Sequence, residues 1–405
     1  MTEHDELLLS CDDYYFTAFG HQRDIPYTYD KDDWVIGLDE DKCEVNLDVS
    51  EAFRACFIAA TRTGKTFIIR RVMDEAYHSG WTVAVLPDAK DEYKSSMGAV
   101  QKEFQKNLPL GEKPKGLKMR IFRPRFFRDI DDGQLPSKNE WAALELKDLT
   151  KTDLQTLINY TVLTPKQQLD FDDLWERMQE TDTSTFEEIQ TLCAECGYTK
   201  VWEKIRFINT CNLFDSRFRI DPVEVLKSKT VLVLNYEGFD KLDLKDNSLD
   251  QVFMSVWIRW IKDAKKNNEF SNLLIINDET ARWVPRNGEP SCKKQILESI
   301  DVDAGFGVSW IFGFQRAESV PEGLVRQCKY KFIPYNADRN TLEGYLKGEN
   351  IIQNMVVDQK QYREYITTLK AKKFRWMKLT KGDQDVEFLD PYSPVSAHMK
   401  TRRFF

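Results

Sequence analysis

The sequence predicts an α/β fold: a mostly parallel sheet flanked by helices, carrying a large helical insertion and a C-terminal β-hairpin. Three observations predict it. Short apolar runs recur along the chain (Ala55–Ile58, the start of Trp81–Tyr93, Thr230–Tyr236, Leu273–Ile276, the middle of Gly305–Arg316), and runs of that length bounded by turn residues read as buried strands. The first run leads through a Gly-Lys-Thr loop into an amphipathic segment. A long charged interval with helical apolar spacing separates two of the other runs.

Taken in order, Ala59-Ala60-Thr61-Arg62-Thr63-Gly64-Lys65-Thr66 lies between the strand Ala55–Ile58 and a segment whose apolar positions are Ile68, Ile69, Val72, Met73 and Ala76. That is strand, tight loop and helix, with Gly80 as the C-terminal stop. A loop ending in Gly-Lys-Thr in this setting is a P-loop. Its amides and the helix N-terminus cradle phosphates, Lys65 reaches the outer phosphates, and the Thr66 hydroxyl ligates magnesium. ATP and Mg2+ are therefore the expected ligand and cofactor. Ala59 stands where the pattern usually opens with glycine, so the turn there has to suit a residue with a Cβ.

A P-loop needs acidic partners for the metal and for the attacking water. Leu273-Leu274-Ile275-Ile276-Asn277-Asp278-Glu279 supplies them as a buried strand ending in two carboxylates. Asp278 would hold magnesium and Glu279 would polarise the water. Two further strands are read at Trp81–Tyr93, ending in an acidic Asp-Ala-Lys-Asp-Glu-Tyr turn, and at Thr230–Tyr236. Gly305–Arg316 reads as a strand ending in Gln315-Arg316, a polar end suited to sensing a bound phosphate.

Composition sets outer limits. The 405 residues allow two or three domains, or one large core with insertions. No stretch approaches the ~18 apolar residues of a membrane span. The start, Met-Thr-Glu-His-Asp-Glu, lacks a signal-peptide pattern. The eight scattered cysteines read as reduced thiols, and Cys193 and Cys196 form a lone CxxC without the other two ligands that a structural zinc needs. A cytoplasmic protein is expected. A net charge of −8 argues against a surface that coats nucleic acid all over, but not against a local basic patch or pore.

The order P-loop, Asp-x-Lys-x-Glu-Tyr turn, Asp-Glu strand, then Gly-Val-Ser…Gln-Arg followed by Pro321 resembles the HerA/FtsK superfamily of DNA-pumping ATPases. The stretch Lys204–Phe214 is similar to the HerA branch, as is the ending, where Phe374–Leu379 and Asp385–Leu389 flank Gly382 as a hairpin. The resemblance spans roughly residues 34–395. It implies a RecA-like P-loop NTPase core, a closed homo-oligomeric ring (a hexamer), and ATP-driven movement of double-stranded DNA. Partner classes would be a nuclease, a capsid or a conjugation apparatus, and a viral member would act in the host cytoplasm or virion. Two departures stand out. Asp303-Ala304-Gly305 lacks the basic residue that many relatives carry there, and only about 50 residues precede the core, too few for the β-barrel of cellular HerA.

The expected organisation is a short β-rich or extended segment over residues 1–50, an ATPase core over 51–105 and 223–345, a mainly helical insertion over 106–222, and a C-terminal helix, hairpin and tail over 346–405. Lys65 and Asp278 are 213 positions apart, and the insertion accounts for most of that excess. Its helical segments are read at Trp141–Ile158, Lys166–Glu180 and Phe186–Cys196. Arg286, Lys293 and Lys294 follow the catalytic strand and are candidate DNA contacts, as phosphate binding needs cations but no base reader. The basic-aromatic run Lys370–Lys378 reads more simply as a half-buried strand. Arg54, Arg316 and Arg326 are candidates for an arginine acting across a subunit boundary. The alternative function is a nucleotide-gated ring ATPase or scaffold acting on a protein partner without DNA translocation.

Overall fold

Alternate residues of the buried strands feed two separate apolar cores, one on each face of a single sheet. In the strand Arg54–Ile58, Ala55 and Phe57 join one core while Cys56 and Ile58 join the other. That two-sided burial explains why these segments are continuously apolar rather than alternating. The computed structural model describes residues 29–397 apart from 61–62, 110, 240–247, 289, 338–358 and 382–385. For 301–304 and 359–362 it describes the backbone only.

Among the described residues twelve strands form the sheet: β1 (Asp33–Leu38), β2 (Glu44–Asp48), β3 (Arg54–Ile58), β4 (Thr82–Asp88), β5 (Met119–Pro124), β6 (Asn139–Ala142), β7 (Val231–Asn235), β8 (Leu273–Asn277), β9 (Val308–Phe314), β10 (Tyr330–Pro334), β11 (Trp376–Thr380) and β12 (Val386–Pro391). Their order across the sheet is β2-β1-β12-β11-β10-β3-β9-β8-β4-β7-β5-β6. The run from β10 to β6 is parallel throughout, and β11, β12, β1 and β2 add antiparallel strands at one side. β9 stands between the P-loop strand β3 and the Asp-Glu strand β8, the RecA-like arrangement.

Helix α1 (Lys65–His78) covers one face, burying Ile68, Ile69, Val72, Met73 and Ala76 against Phe57, Val85 and Ile276. It stops where the sequence predicts, with Gly80 at φ +92 just beyond the cap Ser79. The other face is covered by helices α2 (Lys151–Leu157), α3 (Pro165–Glu180), α4 (Phe186–Cys196), α5 (Thr199–Asn209), α6 (Leu249–Lys266) and α7 (Ser291–Val302). Phe171, Leu174, Ile189, Val201 and Ile205 of the inserted helices share one core with Phe253 and Trp257 of α6.

Residues 106–222, expected to be mainly helical, also carry Met119–Pro124 and Asn139–Ala142, which extend the main sheet beside β7. One reading, the helical segment Trp141–Ile158, needs correction. The apolar positions from Trp141 mimic helical spacing, yet Trp141 lies in β6. The helix starts only at the Thr150 capping box, in which Thr150 and Asp153 satisfy each other's backbone amides. At the other side, β11 and β12 form the expected antiparallel hairpin, with Trp376 opposite Leu389, and β12 pairs onward with β1. The hairpin's tip at Gly382 lies outside the described residues.

Candidate active site

The C-terminal ends of β3, β9, β8 and β4 come together at one edge of the sheet. Register places them: Ile58 pairs with Phe314, Asn277 with Phe312, and Val85 with Ile276. The loop after β3 begins with Ala59, whose N–H donates to Phe314 O at 3.0 Å. Ala59 is buried and has no left-handed backbone, so the glycine that usually opens this loop is not needed here. Gly64, by contrast, sits at φ +94 as the cap of α1, a conformation that strains any residue with a Cβ. Thr63 Oγ1 donates to Ala60 O at 2.9 Å. Thr61 and Arg62 lie outside the described residues.

Lys65, 8 % exposed, meets Asp278, 7 % exposed. Its Nζ donates to Asp278 O at 2.7 Å and lies 2.9 Å from Asp278 Oδ1. Thr66 Oγ1 lies 2.9 Å from Asp278 Oδ2 and 2.8 Å from Glu92 Oε2, and the Tyr93 hydroxyl reaches Asp278 Oδ2 at 3.4 Å. Gly313 makes this approach feasible, since a Cβ there would meet Asp278 Oδ1 at 2.3 Å. Thr66 and Asp278 offer only oxygen donors, a pair that suits a hard cation such as Mg2+. Glu279 follows with its carboxylate partly exposed and ion-paired to Lys90.

The turn after β4 is pinned from below. Asp88 Oδ1 accepts from the amides of Lys90 (3.2 Å) and Glu92 (3.1 Å), and Oδ2 accepts from that of Tyr93 (3.0 Å). Burial pushes the Asp88 carboxyl up to about 7, against the lowering effect of these three bonds. The sequence marks this turn by its Asp-x-Lys-x-Glu-Tyr spacing but not the reach of Lys90 and Tyr93 to residues almost two hundred positions away, nor that of Glu92 back to Thr66. Gly313 was likewise not singled out, and only its place in a strand end hinted at a close approach.

The remaining candidates are scattered. Gln315 and Arg316 are exposed directly beyond β9, next to the carbonyl that holds Ala59. Arg54 begins β3, so the length of that strand separates it from its own phosphate loop. Arg326 is paired with Glu322 on a short helix, Glu322–Gln327. Arg286 is exposed, and its amide donates to Ser319 O. Lys294 is exposed 3.7 Å from Glu298. Lys293 is only 5 % exposed and donates to Gly288 O at 2.8 Å, so its ammonium serves its own loop. Lys378 is buried beside Glu387 and Arg375 beside Asp390, so these cations of the C-terminal basic run are paired within the fold at β11, which lies between β10 and β12. Cys193 is buried in α4, and no group of metal-binding side chains is found among the described residues.

No protein-family model and no curated protein matches the sequence. Solved structures do. The chain is similar to VirB4 of Thermoanaerobacter pseudethanolicus at 13 % identity and a TM-score of 0.58, over 89 % of this chain and 96 % of that one. It is similar to the bacterial conjugative coupling protein TrwBdeltaN70 at 8 % identity and a TM-score of 0.52, over 93 % and 91 %. The genome packaging NTPase B204 of Sulfolobus turreted icosahedral virus 2, in complex with ATP-gammaS, matches over 84 % and 98 % at 10 % identity and a TM-score of 0.39. At such identities the first two likenesses establish the fold: it is the RecA-like P-loop fold expected from the HerA/FtsK resemblance. Among the described residues no helix is long and apolar enough to cross a membrane.

Proposed function

We propose that this chain is an ATP-driven double-stranded DNA translocase working as a homo-oligomeric ring. The observation that carries the reading is the convergence of Lys65, Thr66, Asp278 and Glu279 at one sheet edge, with Lys65 and Thr66 both within 3 Å of Asp278. Loop amides between Ala60 and Thr66 hold the phosphates, Lys65 leaves Asp278 to bind the outer ones, and Glu279 orients and accepts a proton from the attacking water. Thr66 and Asp278 hold Mg2+, which when bound neutralises charge on the outer phosphates. Gln315 next to the loop senses the terminal phosphate, and Arg54, Arg316 and Arg326 are the candidates for completing a neighbour's site. The likeness to a conjugative coupling protein and the HerA/FtsK-type motifs support DNA as the substrate moved, with Arg286 and Lys294 as its candidate contacts. A protein-directed ring ATPase is the second reading, favoured by the inward pairing of Lys293, Arg375 and Lys378.

The test is ATP turnover with and without duplex DNA of unrelated sequences across a salt series. Turnover rises with any duplex, and DNA binding weakens with salt by a slope of about −0.9 per phosphate contact. Glu279→Gln keeps nucleotide binding and loses turnover. A rate indifferent to DNA at low salt selects the protein-directed reading, and full turnover by Glu279→Gln removes the catalytic assignment.

A further inference from the structure

The turn after β4 sends two charged side chains to the residues assigned to hydrolysis, and neither has a task in that assignment. The Thr66 hydroxyl lies within hydrogen-bond distance of two carboxylates, Glu92 Oε2 at 2.8 Å and Asp278 Oδ2 at 2.9 Å. One hydroxyl has one proton, so it can serve only one of them at a time. Lys90, on the same turn, is paired with Glu279. The turn is not free to drift, because Asp88 holds three of its amides.

We propose that Glu92 and Lys90 are positioning residues of the hydrolytic site: Glu92 takes the Thr66 proton so that the hydroxyl lone pairs face the metal, and Lys90 holds Glu279 aside until a terminal phosphate draws the lysine away. This inference rests on the ATP-hydrolysing reading above. If Asp278 accepted the Thr66 proton, its Oδ2 would be taken up by a donor instead of being open to the metal. Glu92 removes that conflict, acting on the metal ligand from one shell out. Lys90 faces a simple competition. Its ammonium is half-exposed, and a terminal phosphate offers more negative charge and more acceptor oxygens than one carboxylate. The carboxylate is thereby released when the substrate is a triphosphate, and stays held when it is a diphosphate.

The test reads binding in the full-length protein. ADP affinity is measured by calorimetry with and without Mg2+. Glu92→Ala lowers the gain from Mg2+ about tenfold while metal-free ADP affinity stays that of the wild type, and Glu92→Gln, whose amide oxygen still accepts, restores most of the gain. ATPγS and ADP are then compared in Mg2+. Lys90→Met lowers the preference for ATPγS about tenfold and Lys90→Arg keeps it. An unchanged Mg2+ gain in Glu92→Ala, or an unchanged ATPγS preference in Lys90→Met, overturns the corresponding role. Wild-type protein that binds neither nucleotide, or Lys65→Ala that binds both as well as wild type, overturns the nucleotide site itself and this inference with it.

Discussion

Replacing Asp88 by asparagine changes one atom and removes a hub. The two carboxylate oxygens accept three amides, two on Oδ1 and one on Oδ2. An asparagine has one acceptor oxygen and an NH2. Placed to serve Lys90 and Glu92, its NH2 faces the Tyr93 amide, donor against donor; flipped, it abandons two amides. Asp88 is 2 % exposed, so water does not readily substitute, and each buried orphaned donor costs about 1–3 kcal/mol. Hydrogen–deuterium exchange of peptides spanning residues 88–94 measures the opening of the turn directly. In Asp88→Asn the exchange of these amides speeds up by roughly fivefold to a hundredfold, the factor those energies imply. Peptides from the far face, such as those of α5, keep their protection. Wild-type protection of the turn in Asp88→Asn would refute the claim that this carboxylate holds it.

Two other outcomes follow from the geometry. Gly313→Ala drives a methyl into the Asp278 carboxylate, whose Oδ1 is 2.3 Å from that Cβ position; the gain in ADP affinity from Mg2+ falls in calorimetry, and an unchanged gain would contradict the packing. Burial raises the Asp74 carboxyl to about 7, with the Ser396 N–H and Arg71 pulling against it. The folded state therefore binds the proton more tightly than the unfolded one, so this group's contribution is largest below its ordinary range near pH 4 and is lost as pH rises towards about 7. Asp74→Asn, which can still accept from Ser396, flattens that part of the stability-versus-pH curve in urea titrations; a difference curve without slope between pH 4 and 7 would rule the effect out.

Local chemistry carried most of what could be read from the sequence. The Gly64-Lys65-Thr66 loop, the Asp278-Glu279 strand end and the strands Val231–Asn235 and Val308–Phe314 are written in contiguous residues whose patterns have a physical cause, and α1 follows its apolar period to Gly80. What was not legible depends on pairing. Nothing in Met119–Pro124 announces that it sits beside β7, because strand pairing is a property of two distant segments. Trp141 misled for the opposite reason: a few apolar residues fit helix and strand spacing equally well, and the edge of the sheet decided. The roles of Lys90 and Glu92 became visible only once β4 was placed beside β8.

The position of β3 bears on how the chain is made. β3 is clasped between β9 and β10, and the amide of Phe53 at its entrance is held by Ser309, which lies 256 residues further on. During synthesis the phosphate loop thus leaves the ribosome on a strand with neither neighbour yet in existence. At roughly 5–20 residues per second that interval lasts about 13–50 s. Through it, the apolar strand and its nascent helix have only early segments or a chaperone to lie against. The nucleotide pocket is consequently a late product of translation, and a chain truncated before residue 308 would carry every residue of the loop but neither strand that flanks β3.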